Sequence, residues 1–148
     1  MLASYEVVHI DDVTVTQVWE HLKTDPRAVM VDVRTQAEWV FVGLPDLSEA
    51  GKRLLTQEWQ TFPDNRVDPA FADNLAGVLK AAGVVEDDEI FFICRSGGRS
   101  RMAAQALAAK GFRRCRNVAE GFEGPLDSKR HRGRFAGWKA TGLPWVQG

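Results

Sequence analysis

Short β-branched runs alternate with helix-patterned runs along this chain, and that alternation restricts the fold more than any other feature. Strand–helix–strand units of this kind pair through crossover helices into a parallel sheet, so the expected class is α/β. "YEVVHI", residues 5–10, reads as a first strand. Val15, Val18, Trp19 and Leu22 then fall on one helix face, and "TDP" at 24–26 closes it. "AVMVDVR" (28–34) is apolar almost throughout, as a strand covered on both faces must be. Residues 48–62, "SEAGKRLLTQEWQTF", have a helical pattern broken early by Gly51.

The second half repeats the rhythm. Asp68 and Pro69 form a helix start, Phe71, Leu75, Val78 and Leu79 its buried stripe, and Gly83 its left-handed cap. "DDEIFFICR" (87–95) is the next covered strand. Residues 100–110 predict a helix with Met102, Ala103, Ala106 and Leu107 inward, ended by Gly111, and "CRNVAEGF" (115–122) returns as a short strand. One domain spanning residues 1–148 accommodates these elements, and at that length about two-thirds of the unfolded surface is buried. Only two cysteines occur, Cys94 and Cys115, too few for a disulfide framework or a cysteine-based zinc site.

The formal net charge of −1 carries no general footprint for nucleic acid or anionic membrane. "MLASYEVVHIDD" shows no basic n-region and no apolar h-region, so no signal peptide is expected, and no apolar run approaches the roughly 18 residues of a membrane span. The expected setting is the reducing cytoplasm, without nucleic-acid or membrane partners. His9, His21 and His131 are scattered and suggest no metal cluster; His21 falls on the polar, solvated side of the first helix. One stretch is irregular and polar, Pro125 to Gly142. Between 127 and 139 it holds five Lys/Arg against Asp127, a local charge of +4. It reads either as a solvated surface loop or as a basic rim that draws an anion toward a site.

Cys94 stands at the C-terminal end of a covered strand, where parallel α/β sheets place their ligand sites. The loop that follows, "RSGGRS" (95–100), leads straight into a helix whose N-terminal N–H groups and partial positive charge face the cysteine. Gly97 and Gly98 allow a tight turn with N–H groups aimed inward, an anion-binding nest. Arg95, Arg99 and Arg101 add charge. Each feature favours the thiolate, and together they predict a Cys94 thiol more acidic than the ordinary value of about 8.5. Cys115 sits between Arg114 and Arg116 with no glycine loop, and reads as a small buried side chain.

Several segments together resemble the rhodanese-like sulfurtransferase family. "CRSGGRS" (94–100) is similar to its active-site loop, "VDVRTQAEW" (31–39) to its D-V-R-x-x-x-E/W segment, and "NVAEGFEG" and "GWKATGLPW" to its last strand, glycine turn and closing motif. The resemblance spans nearly the whole chain, as a single-domain version. It implies a three-layer fold with a central, mainly parallel five-stranded sheet flanked by helices. It also implies thiosulfate sulfurtransferase chemistry: sulfane sulfur moves from thiosulfate or a protein persulfide to cyanide or a thiol through a persulfide on Cys94. No metal or organic cofactor is implied. Carried over by position, Cys94 is the nucleophile and Arg95, Ser96, Gly97, Gly98, Arg99 and Ser100 form the cradle. Arg95 or Arg99 would hold the donor's sulfonate. Asp32 and Arg34 would brace the loop, or Arg34 would pair with Glu38 at a helix start.

The sequence also departs from the family pattern. "FVGLPDL" (41–47) stands where a G-H-I-P-G-A segment is usual, and Glu120–Gly121 where paired glycines are usual. Two rival functions follow from the same loop. A Cys-dependent phosphatase or arsenate reductase needs arginine at position 100, where this chain has Ser100. A catalytically weak persulfide carrier or interaction module would keep the shape, but the cysteine and its cradle are intact.

Overall fold

The structure is a computed structural model and describes residues 8–147. Five strands form one sheet in the order β1 (Asp11–Val13), β6 (Arg114–Val118), β5 (Glu89–Ile93), β2 (Val29–Asp32), β4 (Leu55–Thr56), and every pairing in it is parallel. The expected α/β class with a five-stranded parallel sheet is therefore what the chain builds. A separate antiparallel ribbon joins β3 (Leu44–Pro45) to β7 (Trp145–Val146), tying the C-terminal segment to the first half.

Because side chains alternate along a strand, β5 feeds both faces of the sheet. Ile90 and Phe92 pack with Leu75 and Leu79 of α3 (Phe71–Ala81) and with Ala103, Ala104 and Leu107 of α4 (Gly98–Ala109). Phe91 and Ile93 point the other way, onto Val18, Trp19 and Leu22 of α1 (Val15–Thr24) and onto Trp138. The sheet is thus the middle of three layers. Trp138 is fully buried and meets Trp19 edge to face at 5.8 Å, so the closing segment belongs to the core.

α1 opens on a capping box: Thr14 Oγ1 accepts the Gln17 N–H, and Gln17 accepts the Thr14 N–H. α2 (Gln36–Phe41) opens the same way with Thr35 and Glu38, directly after β2. α3 begins at Phe71, two residues beyond the expected start; Asp68 Oδ1 accepts the Ala70 N–H in a turn ahead of it, and Ala70 is an N-cap without a side-chain bond.

Four sequence expectations are corrected. The strand placed at 5–10 lies in part outside the described residues, and residues 8–10 are not strand; pairing starts at Asp11. Residues 48–62 are not a helix. A 3-10 turn at Ser48–Ala50 ends at Gly51 in the left-handed region, and the chain then extends to pair with β2 at Leu55–Thr56. Val78 and Met102 are exposed at 37% and 46%, and Ala104 takes the inward place given to Met102, so both stripes were read slightly out of phase. His21 is not simply solvated: Nδ1 lies 2.8 Å from Glu89 Oε1, and its ring meets Phe91.

Candidate active site

β5 ends at Ile93, and Cys94 follows it at the carboxyl end of the parallel sheet. The thiol is 1% exposed and faces the first turn of α4. Its Sγ accepts the Gly97 N–H at 3.1 Å and lies 3.2 Å from Ser100 Oγ. Gly97 is the N-cap of α4 with φ +106°, and a Cβ there would stand 2.3 Å from the carbonyl oxygen of Ala119. A glycine is therefore required on two grounds, backbone conformation and contact with the neighbouring chain. The turn after β6 holds the loop from behind: Phe122 N–H donates to Cys94 O at 2.8 Å and Glu123 N–H to Arg95 O at 3.0 Å. Gly121, with φ +72°, makes that approach possible, since a Cβ there would meet Arg95 O at 2.5 Å.

Ser100 is fully buried and stands between two acceptors, with Asn117 Oδ1 at 2.6 Å opposite the sulfur. One hydroxyl carries one proton, so it serves one of them at a time. Asn117, from β6, in turn donates through Nδ2 to Asp12 Oδ1 at 3.0 Å. A polar chain thus runs from the thiol through Ser100 and Asn117 to Asp12 on β1. Asn117 and Asp12 were not found from the sequence, because the strand order that brings β1 and β6 beside the loop is not written in any local motif.

The arginines divide by task. Arg99 lies on Glu38 in a two-point ion pair, Nη1–Oε1 2.7 Å and Nη2–Oε2 2.9 Å. Burial alone would raise the Glu38 carboxyl, but the Arg99 hydrogen bonds and charge outweigh it and hold the group at about 2. Arg34 is fully buried and pairs with Asp32 through Nε and Nη2, the latter at 2.7 Å, with its guanidinium 4.3 Å from the centre of the Phe122 ring. Nη2 also donates to Gly43 O at 2.7 Å, within the "FVGLPDL" segment. The alternative Arg34–Glu38 pair does not form, because Asp32 is two residues away on β2 and Arg99 occupies Glu38. Asp32 pairs in register with Ile93, next to Cys94. Arg101 points away from the loop and pairs with Asp12. Arg95 is exposed and forms no ion pair among the described residues.

Cys115 lies on β6 within the α3/α4 layer, 3% exposed. Burial pushes its thiol up to about 12, with Arg116 opposing only weakly. Among the described residues no three His, Cys, Asp or Glu side chains are grouped to hold a metal ion.

The basic stretch is built onto the site. Asp127 Oδ1 accepts the N–H groups of Lys129 and His131, Gly133 N–H donates to Glu123 O at 2.6 Å, and Arg132 Nη1 donates to Gly124 O at 2.9 Å. So fixed, Arg130, Arg132 and Arg134 form one wall of an open cleft of about 960 Å³, with Arg95 and Arg99 at the loop and α2 opposite.

A buried cysteine held by an amide and a hydroxyl at a helix N-terminus, on the carboxyl edge of a parallel sheet, defines an α/β domain of the sulfurtransferase type. The chain belongs to the rhodanese-like domain family, whose pattern it matches over residues 14–126. It is 35% identical over 136 residues to the uncharacterized protein RP600 of Rickettsia prowazekii, covering 92% of this chain and 97% of that one. The crystal structure of Rv0390 from M. tuberculosis superposes with a TM-score of 0.81 at 42% identity, over 95% of this chain and all of that one. The polysulfide-sulfur transferase homodimer of Wolinella succinogenes shares the fold at a TM-score of 0.59 and 18% identity, over 94% and 80% of the two chains.

Proposed function

We propose that this protein is a sulfurtransferase that carries sulfane sulfur as a persulfide on Cys94, from thiosulfate or a protein persulfide to cyanide or a thiol. The observation that carries the proposal is the position of Cys94 Sγ, 3.1 Å from the Gly97 N–H and 3.2 Å from Ser100 Oγ at the N-terminus of α4. Those donors and the helix end suit an anionic sulfur, and they suit the outgoing thiolate as well as the incoming one.

The chemistry balances without a metal or organic cofactor. The Cys94 thiolate attacks the outer sulfur of thiosulfate; a new S–S bond forms on Cys94, the S–S bond of the donor breaks, and sulfite departs with the electron pair. An acceptor nucleophile then attacks the terminal sulfur, and Cys94 leaves as thiolate. Arg95, exposed at the cleft and free of ion pairs among the described residues, holds the oxygens of the anionic donor. Arg99, committed to Glu38, fixes the loop instead. Asp32 and Arg34 brace the strand end beside it. A phosphate cradle is disfavoured because Ser100, not an arginine, occupies the sixth position after Cys94, with its hydroxyl between the sulfur and Asn117.

Intact mass spectrometry of the reduced protein after thiosulfate tests the proposal, with Cys94→Ser and Cys115→Ser in parallel. The expected result is a gain of one sulfur that cyanide removes, lost only in Cys94→Ser. No gain from thiosulfate or from a protein persulfide would overturn it.

A further inference from the structure

We infer that the cleft over the Cys94 loop receives an acidic, extended polypeptide segment whose cysteine is the sulfur acceptor. The inference rests on the sulfur-transfer proposal and assigns its acceptor class.

Charge is the first ground. Five arginines and His131 line the cleft against two glutamates, Glu38 and Glu123, and Arg99 already neutralises Glu38. This concentration sits in a chain of net charge −1, so the positive field is local to one concave surface. Arg95, Arg130 and Arg134 form no ion pair among the described residues, and the backbone bonds on either side hold the wall in place. A cluster of unpaired guanidinium groups carried on a held backbone recognises carboxylates.

Size is the second. A volume of about 960 Å³ far exceeds one small oxyanion and matches what a peptide of several residues would fill. The cleft lining also includes two exposed aromatic rings, Phe41 at 76% and Phe62 at 67%. Large exposed apolar side chains beside a charged rim mark an interaction surface rather than a binding site for a bare anion. A segment with carboxylates and an apolar residue satisfies both.

Access is the third. Cys94 is 1% exposed and does not itself line the cleft, although Arg95 and Arg99 of its loop do, so a thiol on a flat, folded surface cannot reach its sulfur and an acceptor cysteine has to come in on a narrow, extended segment. In the transfer step the segment's thiolate attacks the outer sulfur of the Cys94 persulfide. An S–S bond forms on the segment, the Cys94 S–S bond breaks, and Cys94 is left as thiolate; no oxidant or reductant enters.

The test uses the full-length protein loaded with sulfur and two synthetic peptides, each with one cysteine, one flanked by Glu and Asp and one with Gln and Asn in their place. Single-turnover transfer to the acidic peptide is expected to be about tenfold faster at low salt, with the advantage shrinking as ionic strength rises. In Arg130→Glu/Arg134→Glu the ratio of the two rates falls to about one. Arg134→Glu alone, whose side chain makes no hydrogen bond among the described residues, lowers the ratio part of the way. A cysteine-free fluorescent acidic peptide, followed by anisotropy, reads docking without sulfur chemistry. If the protein cannot be loaded but this peptide still binds, the sulfur-transfer proposal fails and the docking surface stands. Equal rates with no anisotropy change overturn the inference, as does an oligonucleotide that displaces the peptide and binds more tightly.

Discussion

Arg99 and Glu38 meet through two parallel hydrogen bonds that tie the cysteine loop to the first turn of α2, while the sulfur of Cys94 takes its donors from Gly97 and Ser100. The ion pair is therefore a clamp across the cleft floor. Glu38 also accepts the Thr35 N–H, so one carboxylate fixes both the helix start and the loop.

Glu38 gives the protein an acid-sensitive component of stability. Its carboxyl lies at about 2 in the folded state against an ordinary 4.5. A depressed folded value stabilises the native state above about 4.5, and that contribution is lost as pH falls toward about 2. Its size is of order 2 kcal/mol after allowance for partial exposure. Urea unfolding of the wild type and Glu38→Gln between about pH 5 and about pH 2 measures it. The wild type is expected to lose this increment and the variant to lack it from the start; parallel curves would refute the clamp.

Ser100→Ala removes the hydroxyl shared by Cys94 and Asn117. A hydrogen bond to a charged group contributes about 1.5–3 kcal/mol, which predicts a roughly 10- to 100-fold slower sulfur loading. Ser100→Cys or Ser100→Thr, which keep a donor, should restore part of the rate. An equal fall in Ser100→Ala and Ser100→Thr would assign Ser100 to packing alone.

Two adjacent glycines separate conformation from space. Gly97→Ala places a Cβ 2.3 Å from Ala119 O at φ +106°, so the loop must shift; a stability loss of about 3 kcal/mol or more and loss of sulfur loading are expected. Gly98 meets nothing within 4 Å and opens α4, so Gly98→Ala should hold or slightly raise the melting temperature. Thermal unfolding of the pair decides it, and equal effects would contradict the geometry.

The two cysteines should differ in reactivity despite similar burial. Burial pushes the Cys115 thiol up to about 12, which leaves it protonated at neutral pH. Iodoacetamide mapped by peptide mass spectrometry should label Cys94 while Cys115 stays unmodified until the protein unfolds. Cys115→Ser should keep its sulfur-loading capacity.

What the sequence disclosed follows from where its information was local. The strand–loop–helix at Cys94 is contiguous, so apolar β5, the glycines and the start of a helix could be read together, though not the phase of the α4 stripe, and the parallel sheet followed from the alternation around them. Residues 48–62 misled because their helical periodicity competed with Gly51 and with an open edge of β2, a tertiary partner invisible to a local pattern. Asn117 and Asp12 reach the site only through the strand order, and the pairing of Arg99, expected in the cradle or at the donor's sulfonate, with Glu38 across 61 residues is not signalled by any local pattern.

The buried pair of Asp32 and Arg34 makes the last expectation, and it distinguishes charge from shape. Both side chains are fully buried, and Arg34 has one guanidinium nitrogen, Nη1, without a partner. Asp32→Asn would leave the guanidinium uncompensated, at a cost of about 3–5 kcal/mol. Removing both charges with Asp32→Asn and Arg34→Met should cost less than that single change, because Met packs on the Phe122 ring and no unpaired cation remains. Since Asp32 lies beside Ile93, sulfur loading should track the recovery of stability in the double variant. Denaturant unfolding of the wild type, both single variants and the double variant supplies the cycle. Additive losses would mean that the two residues stabilise the strand end independently, and that the ion pair does not hold the loop.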